Sequence, residues 1–236
     1  MISIIECLFK VNQVQEQLWV SKLDDHWQQN MKIQTKSNQL ILRKYDRNDF
    51  ENKSNIELWP HLAETVKSIK QLPIPLLNQK DPRWANSPYG TDDTRTIWQN
   101  GCAIASLSMV DSYFKNKLTN PTDVAKWAGL RHYVYGQGSA WSIFGAFGNA
   151  YGYQTTNHGN NFYSAMNSLQ NGEVVVVSVQ PGHFTRGGHI MVVRGYENGK
   201  VLVNDPNDSD KKQHSVTAHD AKLLIRDTVN YWSFRK

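Results

Sequence analysis

A cysteine stands at the start of an apolar helix pattern, and this pattern constrains the fold more than any other part of the sequence. Gly101-Cys102 is followed by a run of small and apolar residues, 103–110. Their spacing predicts a core helix with Cys102 in its first turn. Unpaired N–H groups and peptide dipoles at a helix N-terminus favour the thiolate, which is the reactive form of cysteine. Cys102 is therefore a candidate nucleophile, although a free cysteine is more often a small buried apolar residue.

Strand patterns replace helix patterns in residues 173–204. The β-branched run 174–179 predicts a central strand covered on both faces. His189 opens the next strand, and alternation puts it on one face with Met191 and Val193, which we expect to lie against the cysteine helix. A tight hairpin through 197–199 leads to a strand over 200–204. Helices first and an antiparallel sheet second predict an α+β fold.

Three further helices are predicted between these two patterns. Asn120-Pro121 supplies a cap and a first-turn proline for a helix that runs to about Ala128. A third helix is expected to begin near Ser139, and a fourth to run from Phe162 to Leu169.

Two histidines compete for the role of general base. His183 lies among glycines in a turn, whereas His189 lies at the start of a strand that a rigid sheet would hold in place. His189 is therefore the preferred base. Asp205 and Asn204 compete in turn for the role of orienting it, since adjacent residues of a strand point to opposite faces. The hairpin would bring either one back beside His189.

Four blocks of the sequence, in order, resemble those of the C39-like cysteine peptidases. They are 75–84 with Gln79, the stretch around Cys102, 187–196 with His189, and 201–206 with Asp205. The resemblance covers residues 75–206 and implies a papain-like fold of N-terminal helices packed on an antiparallel sheet. It also implies a bacterial or phage protein.

The resemblance assigns a role to each of these residues. Cys102 would be the nucleophile, His189 the base, and Asp205, rather than Asn204, the residue that orients the imidazole. The Gln79 amide and the Cys102 N–H would form the oxyanion hole, where two fixed donors stabilise the developing negative charge. The implied activity is hydrolysis of a peptide or amide bond without a cofactor. The implied substrate is a peptide, a protein or peptidoglycan.

Residues 1–72 differ in composition from the rest and contain no glycine. Short apolar stretches separated by polar residues predict a small α+β module, including a helix that starts at Pro60. The proline-containing segment 72–76 reads as a linker, so we place the second domain at residues 73–236.

Charge and apolar content limit the partners. The net charge of +5 favours acidic surfaces, but without a block rich in Lys and Arg we do not expect nucleic-acid binding. No apolar run is long enough to predict a membrane span, and the first residues lack the features of a signal peptide. The chain is therefore expected in the cytoplasm, or exported by a non-classical or carrier-dependent route. Cys7 and Cys102 are both expected to be free thiols.

Other chemistries fit the sequence less well. Asp205, Asn207, Ser209 and Asp210 loosely resemble a calcium loop, but glycine and glutamate are missing at the required positions, so we expect no metal. A papain-like acyltransferase and an inactive binding or adaptor module are the alternatives to a hydrolase. The leader-processing transporter role of the name-giving C39 enzymes is disfavoured, because no ATP-binding cassette is seen.

Overall fold

The computed structural model describes residues 69–91 and 95–236. The helices are α1 Ile97–Asn100, α2 Cys102–Lys115, α3 Pro121–Ala128, α4 Ser142–Tyr151, α5 Phe162–Gln170 and α6 Ala221–Asp227. The strands are β1 Tyr133–Val134, β2 Gly138–Ser139, β3 Gln154–Gly159, β4 Val174–Val179, β5 His189–Glu197, β6 Lys200–Asn204, β7 His219–Asp220 and β8 Thr228–Arg235. A 3₁₀ turn, His214–Val216, lies between β6 and β7.

Six strands form one antiparallel sheet in the order β3-β8-β4-β5-β6-β7. The short strands β1 and β2 pair separately as a hairpin. The α+β class, with helices packed on an antiparallel sheet, is therefore confirmed for the described residues.

Strand β4 lies in the middle of the sheet and is buried along its whole length. Val174 and Val176 pack with α2 in one core cluster, whereas Val175 and Val177 pack with α5 in another. The prediction of a central strand covered on both faces is confirmed, because β-branched side chains suit a strand that contacts apolar layers on each side.

Helix α2 runs through the core as predicted, and it begins at Cys102 with Gly101 as its N-cap. Helix α3 has the predicted bounds, and the Asn120 side chain accepts a hydrogen bond from the Thr122 N–H. Helix α4 begins at Ser142 rather than near Ser139. The reason is that Ser139 pairs with Tyr133 in the β1–β2 hairpin.

The final strand, β8, was not predicted. It lies between β3 and β4 and pairs with both, so the sheet contains a strand from the end of the described chain near its centre. Trp232 and Phe234 of β8 pack in the core cluster that contains α2.

The predicted N-terminal module and its helix from Pro60 lie almost wholly outside the described residues. The described part begins beside the sheet, where the Leu72 N–H donates to the Arg194 carbonyl of β5 at 2.7 Å. Gln71 bridges to Gly195, and Ile69 packs on Leu202. Within residues 69–91 and 95–236, every helix is too short or too polar to cross a membrane.

Candidate active site

Cys102 is the first residue of α2, and the residue is half-buried. The preceding Gly101 packs directly on the last turn of α1, and its N–H donates to the Ile97 carbonyl at 2.8 Å. A Cβ on Gly101 would lie 2.4 Å from that carbonyl oxygen. The glycine therefore allows α1 and α2 to join closely, with the thiol at the positive end of α2.

The Cys102 thiol and the His189 imidazole interact, and each shifts the pKa of the other. The prediction that Met191 and Val193 lie against the cysteine helix was wrong. Met191 and Val193 pack with α5, and it is Ile190 and Val192 that share a core cluster with α2. His189 interacts with Cys102 from the first position of β5, where the strand begins.

Asp205 forms a hydrogen bond with the Nε2 nitrogen of the His189 imidazole. Its Oδ1 lies 2.6 Å from His189 Nε2, and both side chains are buried. The tight turn Asn198-Gly199, with both residues at positive φ, folds β6 back on β5 and brings the two together. Since Nε2 is engaged by Asp205, Nδ1 is the ring nitrogen left for the thiol. Asn204 instead donates to the Ile74 carbonyl at 2.9 Å, on the opposite face.

Electrostatics favour charge separation between these side chains. Burial alone would raise the pKa of the Cys102 thiol, but the hydrogen bond and charge of His189, with backbone hydrogen bonds from Ile190 and Ala103, lower it. Burial likewise opposes a charged His189, but Asp205 and Cys102 raise the pKa of the imidazole. The pKa of Asp205 lies far below its usual range despite burial, because His189 and His214 stabilise the carboxylate. These directions favour a thiolate beside an imidazolium.

Gln79 is buried and tied to the segment that leads into α2. Its Nε2 donates to the Trp98 carbonyl at 2.6 Å, and its backbone N–H donates to the Pro206 carbonyl at 2.7 Å. The contact with a carbonyl identifies Nε2 as the amide atom that faces Trp98, and it leaves the second N–H of that nitrogen available. The glutamine is thereby anchored both to the approach to Cys102 and to the loop that follows Asp205.

Two further histidines, the competing candidate His183 and His158 of β3, lie elsewhere. His183 Nε2 lies 3.1 Å from His219 Nδ1, and the His183 backbone N–H donates to Asp227. His158 bonds to the hydroxyls of Ser164 and Ser233, on the side of the sheet near β3. Neither has a contact that would make it the base for Cys102.

Sequence reasoning missed His214. Its Nδ1 lies 2.8 Å from Asp205 Oδ2, the carboxylate oxygen that His189 does not use. Lys212 Nζ lies 3.6 Å from the same oxygen. No motif marks His214, because it lies in an irregular segment after β6; its proximity depends on how residues 205–215 fold back on themselves.

One group within the described part of the chain has the donor set of a metal site: Asp205, Asp208 and His214, whose ligand atoms lie within 4.8 Å of one another. Their atoms already have partners. Asp208 Oδ1 accepts from the Ser209 and His214 N–H groups, and Oδ2 accepts from the Ser215 N–H. An ion would have to replace these hydrogen bonds, so the donor set fits a hydrogen-bonded loop better than a cation. Asp210, the last residue of the calcium-like pattern, is not part of this group.

Residues 71–233 match the Peptidase_C39 like family. The chain belongs to this family. The match includes all four residues of the candidate site, and it begins where the described chain joins the sheet beside β5. No curated protein matches the chain.

Solved structures of C39 peptidases resemble this Peptidase_C39 like chain at low identity. The peptidase domain of Streptococcus ComA, a bifunctional ABC transporter of a quorum-sensing pathway, is 18% identical, with a TM-score of 0.44 over 62% of this chain and 95% of that one. A putative C39-like peptidase from Bacillus anthracis is 13% identical, with a TM-score of 0.44 over 71% and 98%. A double glycine motif protease from an AMS/PCAT transporter, solved with its leader peptide, is 20% identical, with a TM-score of 0.39 over 56% and 82%.

Proposed function

We propose that this Peptidase_C39 like chain is a cysteine peptidase or amidase that hydrolyses a peptide or amide bond. The observation that supports it most is that Cys102, at the start of α2, interacts with His189, whose Nε2 lies 2.6 Å from Asp205 Oδ1. A nucleophile, a base and an orienting carboxylate in contact are the arrangement that covalent catalysis requires.

The reaction begins with transfer of the thiol proton to His189 Nδ1. The thiolate then attacks the substrate carbonyl carbon, and the carbonyl π electrons move to oxygen to give a tetrahedral oxyanion. Collapse of this intermediate breaks the C–N bond, and His189 gives its proton to the leaving amine. A water molecule, deprotonated by the same imidazole, then cleaves the thioester and regenerates the thiol.

Gln79 and the Cys102 backbone N–H are the proposed oxyanion donors. The Cys102 N–H lies in the first turn of α2, where the helix offers no acceptor, and the Gln79 amide retains one N–H after bonding to Trp98. Donors held in place before the reaction stabilise the oxyanion more than donors that must reorganise. The buried position of Gln79 and its two backbone contacts support this role.

The test combines covalent labelling with product analysis. In a Cys7→Ser background, where Cys102 is the remaining cysteine, a peptidyl epoxide or iodoacetamide should label the protein rapidly near neutral pH. A mixture of synthetic peptides should yield hydrolysis products identified by mass spectrometry. His189→Ala should suppress both, and Cys102→Ala should abolish both.

Two results would overturn the proposal. Labelling at the same slow rate in the parent and in His189→Ala would indicate an ordinary thiol in a binding module. Products joined to an added amine, with no hydrolysis when the amine is omitted, would indicate acyl transfer rather than hydrolysis.

A further inference from the structure

Asp205 lies between two imidazoles, one on each carboxylate oxygen. His189 Nε2 lies 2.6 Å from Oδ1, and His214 Nδ1 lies 2.8 Å from Oδ2. All three side chains are buried. Because an ionised carboxylate only accepts hydrogen bonds, Nδ1 of His214 must carry the proton.

The segment that carries His214 is fixed by its own hydrogen bonds. Asp208 accepts the His214 N–H at 3.0 Å and the Ser215 N–H at 2.7 Å, which hold the 3₁₀ turn in place. The Ser215 hydroxyl in turn accepts the Asp205 N–H at 3.0 Å. The backbone of the turn is therefore tied directly to the backbone that carries Asp205.

Two further histidines, His219 and His183, form hydrogen bonds that hold the main chain of His214. His219 Nε2 donates to the His214 carbonyl at 2.9 Å. Burial lowers the pKa of His219 to about 4, so near neutral pH its Nδ1 is an acceptor, and His183 Nε2 donates to it at 3.1 Å. These contacts hold the main chain of His214 and leave its ring directed at Asp205.

We propose that His214 is a positioning residue, which fixes the plane of the Asp205 carboxylate so that Asp205 can orient His189. The inference rests on the proposed function. A carboxylate held at one oxygen can rotate about its Cβ–Cγ bond, whereas donors at both oxygens fix its orientation. His189 then presents Nδ1 to Cys102 in one tautomer and one orientation.

The Asn207 N–H also donates to Asp205, at 2.7 Å from Oδ1, the oxygen that His189 already holds, so His214 is the hydrogen-bond donor at Oδ2. Other charged groups that face Asp205 act less directly. They are Lys212 and Asp208 from the loop after β6, and Lys80 from the segment before α1, in addition to His189 of β5. The Lys212 ammonium is 3.6 Å from Oδ2, its side chain is 31% exposed, and it also donates to the Asn207 carbonyl. An exposed lysine fixes a carboxylate less well than a buried ring N–H, because its side chain must be ordered and water competes.

The test compares two substitutions of the same shape in a Cys7→Ser background. His214→Leu removes the donor, whereas His214→Asn places an amide nitrogen near the position of Nδ1. The measured quantities are the rate of Cys102 alkylation by iodoacetamide across pH 5–9 and, for a cleaved peptide, kcat and KM. His158→Leu is the matched control, because it removes a hydroxyl-bonded imidazole away from Asp205.

We expect His214→Leu to lower the alkylation rate near pH 6 and kcat by about tenfold, the effect of one hydrogen bond to a charged group. His214→Asn should remain within about threefold of the parent, KM should change little, and His158→Leu should alkylate like the parent. If His214→Leu fails to fold, His214→Phe, which keeps a ring against Phe184, replaces it in the comparison.

Equal rates in the folded Asn and Leu variants would overturn the inference, whether both equal the parent or both fall. The proposed function has a separate readout. If the parent cleaves no peptide but the alkylation rates follow the expected order, peptide hydrolysis is wrong and the positioning role of His214 stands.

Discussion

Gly101 and Ile97 pack so closely that no side chain fits between them. A Cβ on Gly101 would lie 2.4 Å from the Ile97 carbonyl oxygen and 2.5 Å from its Cγ2. Gly101→Ala should therefore push α1 away from α2 and lower the free energy of unfolding by about 1–3 kcal/mol. It should also slow alkylation of Cys102, because the start of α2 moves. Urea unfolding and iodoacetamide kinetics measure the two effects, and Gly145→Ala, where a Cβ meets open space, is the control.

The pH dependence of Cys102 reactivity should depend on the His189 imidazole. The pKa of Cys102 is lowered because His189 outweighs the effect of burial. In the Cys7→Ser protein, alkylation should reach half its maximum rate below about pH 8.5, the ordinary value for cysteine. In His189→Ala only burial and the backbone contacts remain, so the midpoint should move upward. A midpoint that is unchanged by this substitution would contradict the assigned contact.

Removal of the Gln79 amide should slow catalysis and leave the nucleophilicity of the Cys102 thiol unchanged. Gln79→Ala should lower kcat on a cleaved peptide by about 10²–10³-fold, since one oxyanion donor is lost. Alkylation by iodoacetamide forms no oxyanion, so its rate should change little. Steady-state kinetics and alkylation measured on the same preparation separate these effects. An equal fall in both rates would show that Gln79 supports the structure around Cys102 rather than the oxyanion.

The pair His189–Asp205 should give the protein a pH window of added stability. The pKa of Asp205 is lowered on folding, so its contribution is complete above about pH 4, the unfolded value, and is lost as the pH falls towards the folded pKa. The pKa of His189 is raised, so its contribution is complete below about pH 6.5 and is lost as the pH rises towards the folded pKa.

Asp205→Asn provides the comparison for this window. The difference in the free energy of unfolding between parent and variant should be largest near pH 5.5, at about 3–5 kcal/mol, because one partner of a buried ion pair is removed. Urea titrations at pH 3, 5.5 and 8 measure it. A difference that stays constant over this range would show that the two side chains do not titrate as a pair.

The sequence predicted the core elements because their patterns are local. The bounds of α3 follow from a cap and a proline, and β4 follows from an unbroken β-branched run. The hairpin that brings Asp205 beside His189 follows from the Asn198-Gly199 turn. The choice of Asp205 over Asn204 and the role of Gln79 were anticipated only through the resemblance between ordered blocks, since spacing along the chain does not determine distances.

The sequence did not predict features that depend on contacts between distant segments. The position of β8 between β3 and β4 is a property of sheet order, which alternation within one strand cannot give. Helix α2 covers the face of β5 that carries Ile190. Predicting this requires knowing on which side of the sheet the helix packs. The His214 contact depends on an irregular loop that is held by Asp208, whose hydrogen bonds go mainly to the backbone.

The location of β8 has a consequence for how the protein matures during translation. Residues 228–235 complete the sheet beside β4, and they leave the ribosome after Gln79, Cys102, His189 and Asp205 have all been synthesised. The sheet that contains the His189 strand is therefore incomplete until residues 228–235 have been synthesised. Until then a nascent chain carries its thiol and its imidazole without the complete sheet, so we expect the two side chains to align only after β8 has paired with β3 and β4.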